Sequence, residues 1–532
     1  MTGRRRHVVV VGAGPAGLAA ADTALAAGAD VTLIDAAERP GGQYHRMLPE
    51  AYGATDPGAL QHGYRSFERR SRRVLEHPRC SWWAESSVWA LERRDPGADG
   101  EPDGPPLVHV LRGTPRRRHV LEPDALVLAV GAHDRVLPFP GWDLPGVYTA
   151  GAAQALAKGE RVAVGDRMVV AGTGPFLLPV AASLLEAGSR VLAVLEAGRP
   201  GAVARGWLRR PWELSGQLGK SGELASYTAA LARHRVPYRW GAAVVEARGD
   251  GRVEEIVTAR VRADWSVVPG SEQVVAVDAV CVGHGFTPQL ELPVAAGCAL
   301  RPVPDGSPAE VFVAVDDDQR TSRPGVYAAG EITGVAGAPA ARAEGAVAGW
   351  LAAGGDRDSR ALRTSRRIRD RGRAFAVRLS LAHPVGRAWP GWLRPDTVIC
   401  RCEETTYAAV CGAAADPTGA EPRVAKLATR AGLGPCQARV CGPTVAELRG
   451  RGPGDGGGAR TAAPDADRPW EAGPHHRPIA EPIRLGELAH PPEPQPEPPP
   501  GPSPEPSSAR PPEAPPRATA APGRPADPDG AP

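Results

Sequence analysis

Five of the chain's eight cysteines fall in two short stretches, VICRCEETTYAAVCG and LGPCQARVCG. Four of them form two close pairs, Cys400-x-Cys402 and, thirty-three residues on, Cys436-x4-Cys441. Thiolates are soft anionic ligands, and four in two pairs can wrap one metal centre. Zinc favours knuckles with the longer C-x-x-C bite, so the tight C-x-C pair makes zinc the weaker reading. A structural disulfide is disfavoured in a reducing cytoplasm, the compartment expected here, with a peripheral place at the inner membrane face as the alternative. Cys411 reads as a helix residue apart from the four, or as a substitute ligand. Cys80, Cys281 and Cys298 are isolated and read as small buried apolar residues.

A second chemistry is carried by glycines. The stretch VVVVGAGPAGLAAADTALAAGADVTLID sets Gly12, Gly14 and Gly17 between an apolar strand and a helix, with Pro15 and Ala16 among them. This spacing gives a tight turn, a close approach of backbone to a pyrophosphate, and a close seat for the helix on the strand. Free N–H groups at the helix start then face the phosphates. The following strand ends in Asp35, placed for ribose hydroxyls, and RPGGQ with Gly42 and Gln43 comes next. In VVAGTGPFLLPVAASLL, Gly172 and Gly174 repeat the first two glycine positions, and Glu196 ends the strand that follows. The third position is Leu177, which must push the helix off the strand or reshape the turn. Three readings stand: an NAD(P) site of unusual shape, a site for another adenine nucleotide, or a structural relic. Arg199 is the nearest candidate for a 2′-phosphate.

These residues need elements to hold them. With 532 residues and 42% hydrophobic content the chain can build two or three domains with real cores. Strand–turn–helix patterns predict a first nucleotide domain over 1–160, a second over 161–290 and a return to the first over 291–390. The cysteines occupy 395–450. An extended segment at 451–490 precedes a Pro-rich tail, 491–532, whose composition cannot bury a core and predicts disorder. Net charge is +3 with acids and bases nearly balanced, which argues against nucleic acid. No apolar run is long enough for a transmembrane segment. The basic, then briefly apolar start is too short for a signal peptide.

The motifs resemble those of a known group. VLAVGAHDRVLPFPG, with Ala129, Gly131 and Ala132, resembles the strand and turn at which flavoproteins of the glutathione reductase type leave their FAD domain. TSRPGVYAAGEITG resembles the late FAD motif, with Gly330 and with Glu331 where Asp is commoner. The likeness implies FAD at the first turn, Glu331 near the ribityl or pyrophosphate, and a helix start near 337–345 aimed at the isoalloxazine. The two cysteine pairs, with short helices between them, resemble the small helical [2Fe–2S] domain of bacterioferritin-associated ferredoxin. That implies Cys400, Cys402, Cys436 and Cys441 as ligands, with Gly432, Gly434 and Gln437 shaping the loop.

Taken in order, the motifs over roughly residues 7–490 resemble the FAD and [2Fe–2S] subunit family of opine oxidases, hydrogen cyanide synthase and dye-linked proline and hydroxyproline dehydrogenases. The departures are the tail, Glu331 and extra loops at 200–225 and 450–475. The resemblance implies an α/β fold: two interleaved Rossmann-like domains plus the small helical domain. It implies a hetero-oligomer with a partner of the FAD-dependent amine or amino-acid oxidase type, and electron flow through FAD and the cluster to a quinone or ferredoxin. The alternatives are an NAD(P)H-dependent reductase of an electron carrier and a non-catalytic assembly or sensor subunit. No C-x-x-C precedes residue 400, which sets the chain apart from reductases that pass electrons from flavin to a dithiol. His133 and His284 follow glycine turns and read as solvated loop residues or as lining the flavin, with no catalytic role assigned.

Overall fold

The computed structural model describes residues 4–493 apart from 57, 59–60, 95–103, 210–217, 304–309, 416–421, 450–476 and 478. The tail from 494 on, its expected disorder, and the extra loop at 450–475 lie outside the described residues.

Ten strands build two large sheets: β1 (His7–Val11), β2 (Asp30–Ile34), β3 (Cys80–Trp83), β4 (Ala125–Leu128), β5 (Val147–Thr149), β6 (Arg167–Gly172), β7 (Arg190–Glu196), β8 (Tyr238–Trp240), β9 (Ala279–Gly283) and β10 (Val326–Ala328). The first sheet runs β10-β4-β1-β2-β3 and the second β8-β7-β6-β9-β5. Every pairing in both is parallel. Continuous apolar runs such as VVVV in β1 and ALVL in β4 suit strands covered on both faces. Val147 registers with Val280 and Thr149 with Val282, so the chain enters the second sheet at residue 147, ahead of the expected boundary at 160.

The helices that cover these sheets are α1 (Pro15–Ala26), α2 (Ala150–Gly159), α3 (Leu177–Glu186), α4 (Pro200–Leu208), α5 (Ala338–Ala352) and α6 (Arg363–Ala382). α1 and α5 lie nearly backbone to backbone. A Cβ on Gly345 would stand 2.0 Å from the carbonyl oxygen of Ala16, and one on Gly349 2.0 Å from that of Ala20. This contact joins the return segment to the first domain. The two chain crossings between the domains, Ala132–Asp134 and Phe286–Pro288, pair antiparallel.

The cysteine module holds β11 (Val398–Cys400), α7 (Tyr407–Ala415), α8 (Pro422–Thr429) and α9 (Gly442–Arg449). It shares a core with the second domain, in which Ile399, Val410 and Leu448 meet Trp265, Trp389 and Trp392. Residues 479–493 return across the body, where the Ala480 N–H donates to the Trp89 carbonyl at 2.7 Å. Among the described residues no helix is long and apolar enough to cross a membrane.

Candidate functional site

At the first turn the sequence motifs converge. A Cβ on Gly17 would stand 1.6 Å from the Gly12 carbonyl oxygen, so only glycine lets α1 start this close to β1. The Leu18 N–H already donates to Gly14 in an α-helical bond of 3.0 Å. Gly42, at φ 58°, is pressed against Gly14, where a Cβ would come within 2.9 Å of the Gly14 Cα. Gly330 abuts Ala16 on the other side. The fingerprint, the RPGGQ stretch and the late motif therefore meet around one helix start, with Pro15 beside it and Gln43 exposed at its rim. Ala129 is buried beneath Gly12, and Gly131 and Ala132 lead away into the crossing strand.

Two carboxylates sit here in different states. Asp35 accepts from the Ala13 N–H at 2.6 Å and the Ala37 N–H at 2.8 Å, one on each oxygen. Burial raises its pKa, and each oxygen keeps a lone pair for a further donor. Glu331 makes no hydrogen bond or ion pair among the described residues, and burial pushes its pKa up to about 7. Glu331 is half-buried, so its carboxyl can take a donor from outside the protein, and the hydroxyls of a ribityl chain are donors, so the residues fit FAD. Sequence reading missed Glu344. On α5 and buried, it accepts from the Gly330 N–H at 2.9 Å and the Thr333 hydroxyl at 2.7 Å, fixing the loop that carries Glu331.

The second turn is built on the same plan and then closed. Leu177 is fully buried and packs toward Gly283. The first turn of α3 is reshaped as a result: Leu177 N–H bonds to Gly174 at 3.3 Å and Leu178 N–H to Pro175 at 3.2 Å, both one residue short of α-helical spacing. α3 starts at Leu177, whereas α1 starts directly after Gly14. Glu196 has no exposed surface. It accepts from the Thr173 hydroxyl at 2.7 Å and from the N–H groups of Gly174 and Gly198, both at 2.8 Å. Burial opposes its ionisation, but the neighbouring His383, Thr173 and Gly174 outweigh that and hold its pKa below the usual range. His383, just beyond α6, lies 3.6 Å from Glu196 and over Gly174, with Trp207 of α4 against its edge. Gly174 thus lies under His383, and the Glu196 carboxylate is fully engaged by protein donors.

The four cysteines of interest form two pairs across the module. The Cys400 thiol hydrogen-bonds that of Cys441, and Cys402 pairs with Cys436. That bond to Cys441, with N–H groups of Gly432, Glu403 and Cys402 aimed at the sulfur, brings the Cys400 thiol down to about 5. Cys441 moves up, because it donates to Cys400 and is buried. The Cys436 N–H favours the Cys402 thiolate, yet burial and the Cys436 thiol outweigh it and leave Cys402 raised. Gly434 presses on Cys402, where a Cβ would sit 2.2 Å from that of Cys402. Gln437 and Ala438 take left-handed φ values of 49° and 65°, curling the loop between Cys436 and Cys441. Among the described residues no three His, Cys, Asp or Glu side chains gather closely enough to hold a single ion. Thiols supplied with N–H donors are the residue types that would suit a thiolate-held iron–sulfur group.

All eight cysteines are free of disulfides. Cys411 lies in α7. Cys281 and Cys298 are buried, and burial pushes them up to about 12 and 11; Cys80 is half-buried and also moves up to about 12. His284 is buried against Trp265 and driven down to about 3 by desolvation, so it is neutral, which rules against the solvated one of its two readings.

A family model described as pyridine nucleotide-disulphide oxidoreductase matches residues 6–345. The chain is 33% identical to an opine oxidase subunit of Agrobacterium tumefaciens, covering 91% of this chain and 92% of that one. It is 32% identical to hydrogen cyanide synthase subunit HcnB of Pseudomonas aeruginosa, covering 81% and 90%. Among solved structures, L-proline dehydrogenase from P. horikoshii matches with a TM-score of 0.58 over 91% of this chain and 79% of that one, at 18% identity, a likeness of fold. Together with the turn built around Gly12, Gly14 and Gly17, these matches place the chain in the pyridine nucleotide-disulphide oxidoreductase family, beside HcnB and the opine oxidase subunit, as an FAD-dependent oxidoreductase.

Proposed function

We propose that the chain is the electron-relaying subunit of a hetero-oligomer that oxidises an amine or amino acid of the opine, proline, hydroxyproline or glycine type. FAD takes electrons two at a time and a [2Fe–2S] cluster handles them singly, so the pair serves a one-electron acceptor such as a quinone or ferredoxin. Gly12, Gly14 and Gly42 cradle the FAD pyrophosphate, Asp35 faces its ribose, and Glu331 takes a donor from the ribityl region. Cys400 with Cys441, and Cys402 with Cys436, hold the cluster. The C–N chemistry belongs to a partner subunit of the amino-acid-oxidase type; that relatives are named as subunits supports the hetero-oligomer.

The observation that carries this reading is the docking of the cysteine module on the segment that leaves the first turn. Arg135 reaches Glu447 of α9 at 3.0 Å, and the Thr444 hydroxyl donates to the Val136 carbonyl at 2.9 Å. Hydride entry from NAD(P)H at the second turn is disfavoured by the buried Glu196 and the His383 cap.

The test is protein purified without air. Flavin bands with about two irons and two sulfides per chain, unbleached by NADH, are expected. Zinc in place of iron overturns the relay. Rapid bleaching by NADH makes the chain a reductase, and a flavin that no partner's substrate reduces makes it a sensor or assembly subunit.

A further inference from the structure

We propose that the outer end of the cysteine module is the docking face for an acidic one-electron carrier protein. This rests on the reading that the four thiols hold a cluster, and it adds where electrons leave and what kind of partner takes them.

The two thiol pairs differ in depth. Cys400 and Cys441 are 1% and 3% exposed, whereas Cys402 is exposed and Cys436 half-buried. The buried pair faces the body, since β11 and α9 are the elements tied to the crossing segment. The other pair opens to solvent, so the module has an inner and an outer end.

The outer end carries an uncovered apolar centre. Val424 and Leu427 are 37% and 60% exposed and lie three residues apart, on one face of α8. Leu433, 40% exposed, follows Gly432, and a Cβ on Gly432 would touch the Lys426 side chain at 3.8 Å, which brings that loop against α8. Gly434 then presses on Cys402, so the same loop reaches the exposed thiol.

The rim of this face is cationic. Arg423 and Lys426 come from α8 and Arg430 from its end, while Arg401, adjacent to Cys402, turns its guanidinium inward over Trp142 and is not part of the rim. Among the described residues Glu403 and Glu404 oppose them, and Glu403 is already engaged by Arg430 at 2.7 Å. Across a two-fold axis a second copy would set this rim against itself, and like charges facing each other disfavour that contact. An acidic partner meets the cations and covers the apolar centre. Brief electron-transfer encounters use small faces of this kind, steered by charge.

The experiment titrates the full chain with an oxidised, strongly acidic [2Fe–2S] ferredoxin by calorimetry, at low and at physiological ionic strength, with a basic c-type cytochrome as control. The expected result is ferredoxin binding that weakens with salt and weakens about tenfold or more in R423E/K426E. Leu427→Ser is expected to weaken it less, with little change in salt dependence. Equal binding by R423E/K426E, preference for the basic cytochrome, self-association through this face, or no ferredoxin binding at low salt overturns the proposal. Iron and sulfide content is measured on every sample. Binding does not require turnover, so loss of the cluster reading shows in the iron while loss of the docking face shows in the calorimeter.

Discussion

Trp142 donates its indole N–H to the carbonyl oxygen of Val398 at 2.6 Å, two residues before Cys400. Just beyond that cysteine, the Arg401 guanidinium lies 5.0 Å over the same indole ring and bonds the Asp143 carbonyl at 3.1 Å. One buried side chain from the crossing segment therefore grips the chain on both sides of a proposed ligand. Trp142→Phe keeps the ring and removes the donor, leaving the Val398 carbonyl unpaired at a cost of about 1–3 kcal/mol. Trp142→Ala adds a cavity, for about 3–5 kcal/mol. Thermal unfolding measures both. Limited proteolysis is expected to release the cysteine module from the alanine variant first, with flavin absorbance still present.

Serine at Cys400, Cys402, Cys436 or Cys441 is expected to remove most of the bound iron, while Cys411→Ser leaves it in place. Iron analysis and low-temperature electron paramagnetic resonance of dithionite-reduced samples separate the two classes. Equal loss at Cys411 would move that residue into the ligand set.

Restoring the missing glycine is expected not to restore a nucleotide site. Leu177→Gly empties a fully buried position and is expected to cost about 3–5 kcal/mol, from the lost side chain and from glycine's freedom in a helix. NADH binding, followed by fluorescence, is expected to stay absent, because Glu196 and His383 still fill the space. Binding gained by this single change would show that leucine alone had closed the turn.

Glu331 gives a pH dependence of known sign. Its pKa is raised by burial from the usual 4.5 to about 7, so the folded apoprotein prefers it protonated. Below 4.5 the residue is neutral folded or unfolded and costs nothing. Between 4.5 and 7 its ionisation increasingly opposes folding, by at most about 3 kcal/mol above pH 7. Glu331→Gln is therefore expected to raise apoprotein stability at pH 8 and to leave it unchanged near pH 4. Denaturant unfolding at the two pH values checks this. A gain of equal size at both would assign the effect to packing.

The first turn was legible because its constraints are local: three glycines, a strand and an acid within thirty residues fix where a pyrophosphate can sit. The closing of the second turn was only half legible. Leu177 announces that the turn is reshaped, and the 3₁₀-type bonds after Gly174 are what that reshaping looks like. The cap is His383, far along the chain and brought in by α6, and no local pattern marks it. Glu344 was hidden for a related reason, since an acid within an Ala-rich helix looks like a solvated residue until the helix is seen to press on α1. His284 went the other way. A histidine after glycine reads as loop, but the pairing of the two crossings and the packing of Trp265 bury it. The cysteine spacing singled out four residues as a proposed ligand set, though it gave no sign that Cys400 and Cys441 lie deep while Cys402 is at the surface.

The seating of α5 against α1 through Gly345 and Gly349 bears on how the protein is made. β10 pairs with β4 only after about two hundred intervening residues have been synthesised, and α5 follows later still. The second domain, by contrast, is continuous from β5 to β9 and can gather its sheet as it leaves the ribosome. The first domain must wait with α1 uncovered and its Ala-rich face open to water. Flavin capture is thus a late event in biosynthesis, and a chain stopped before residue 338 would carry a finished insert inside an unfinished host.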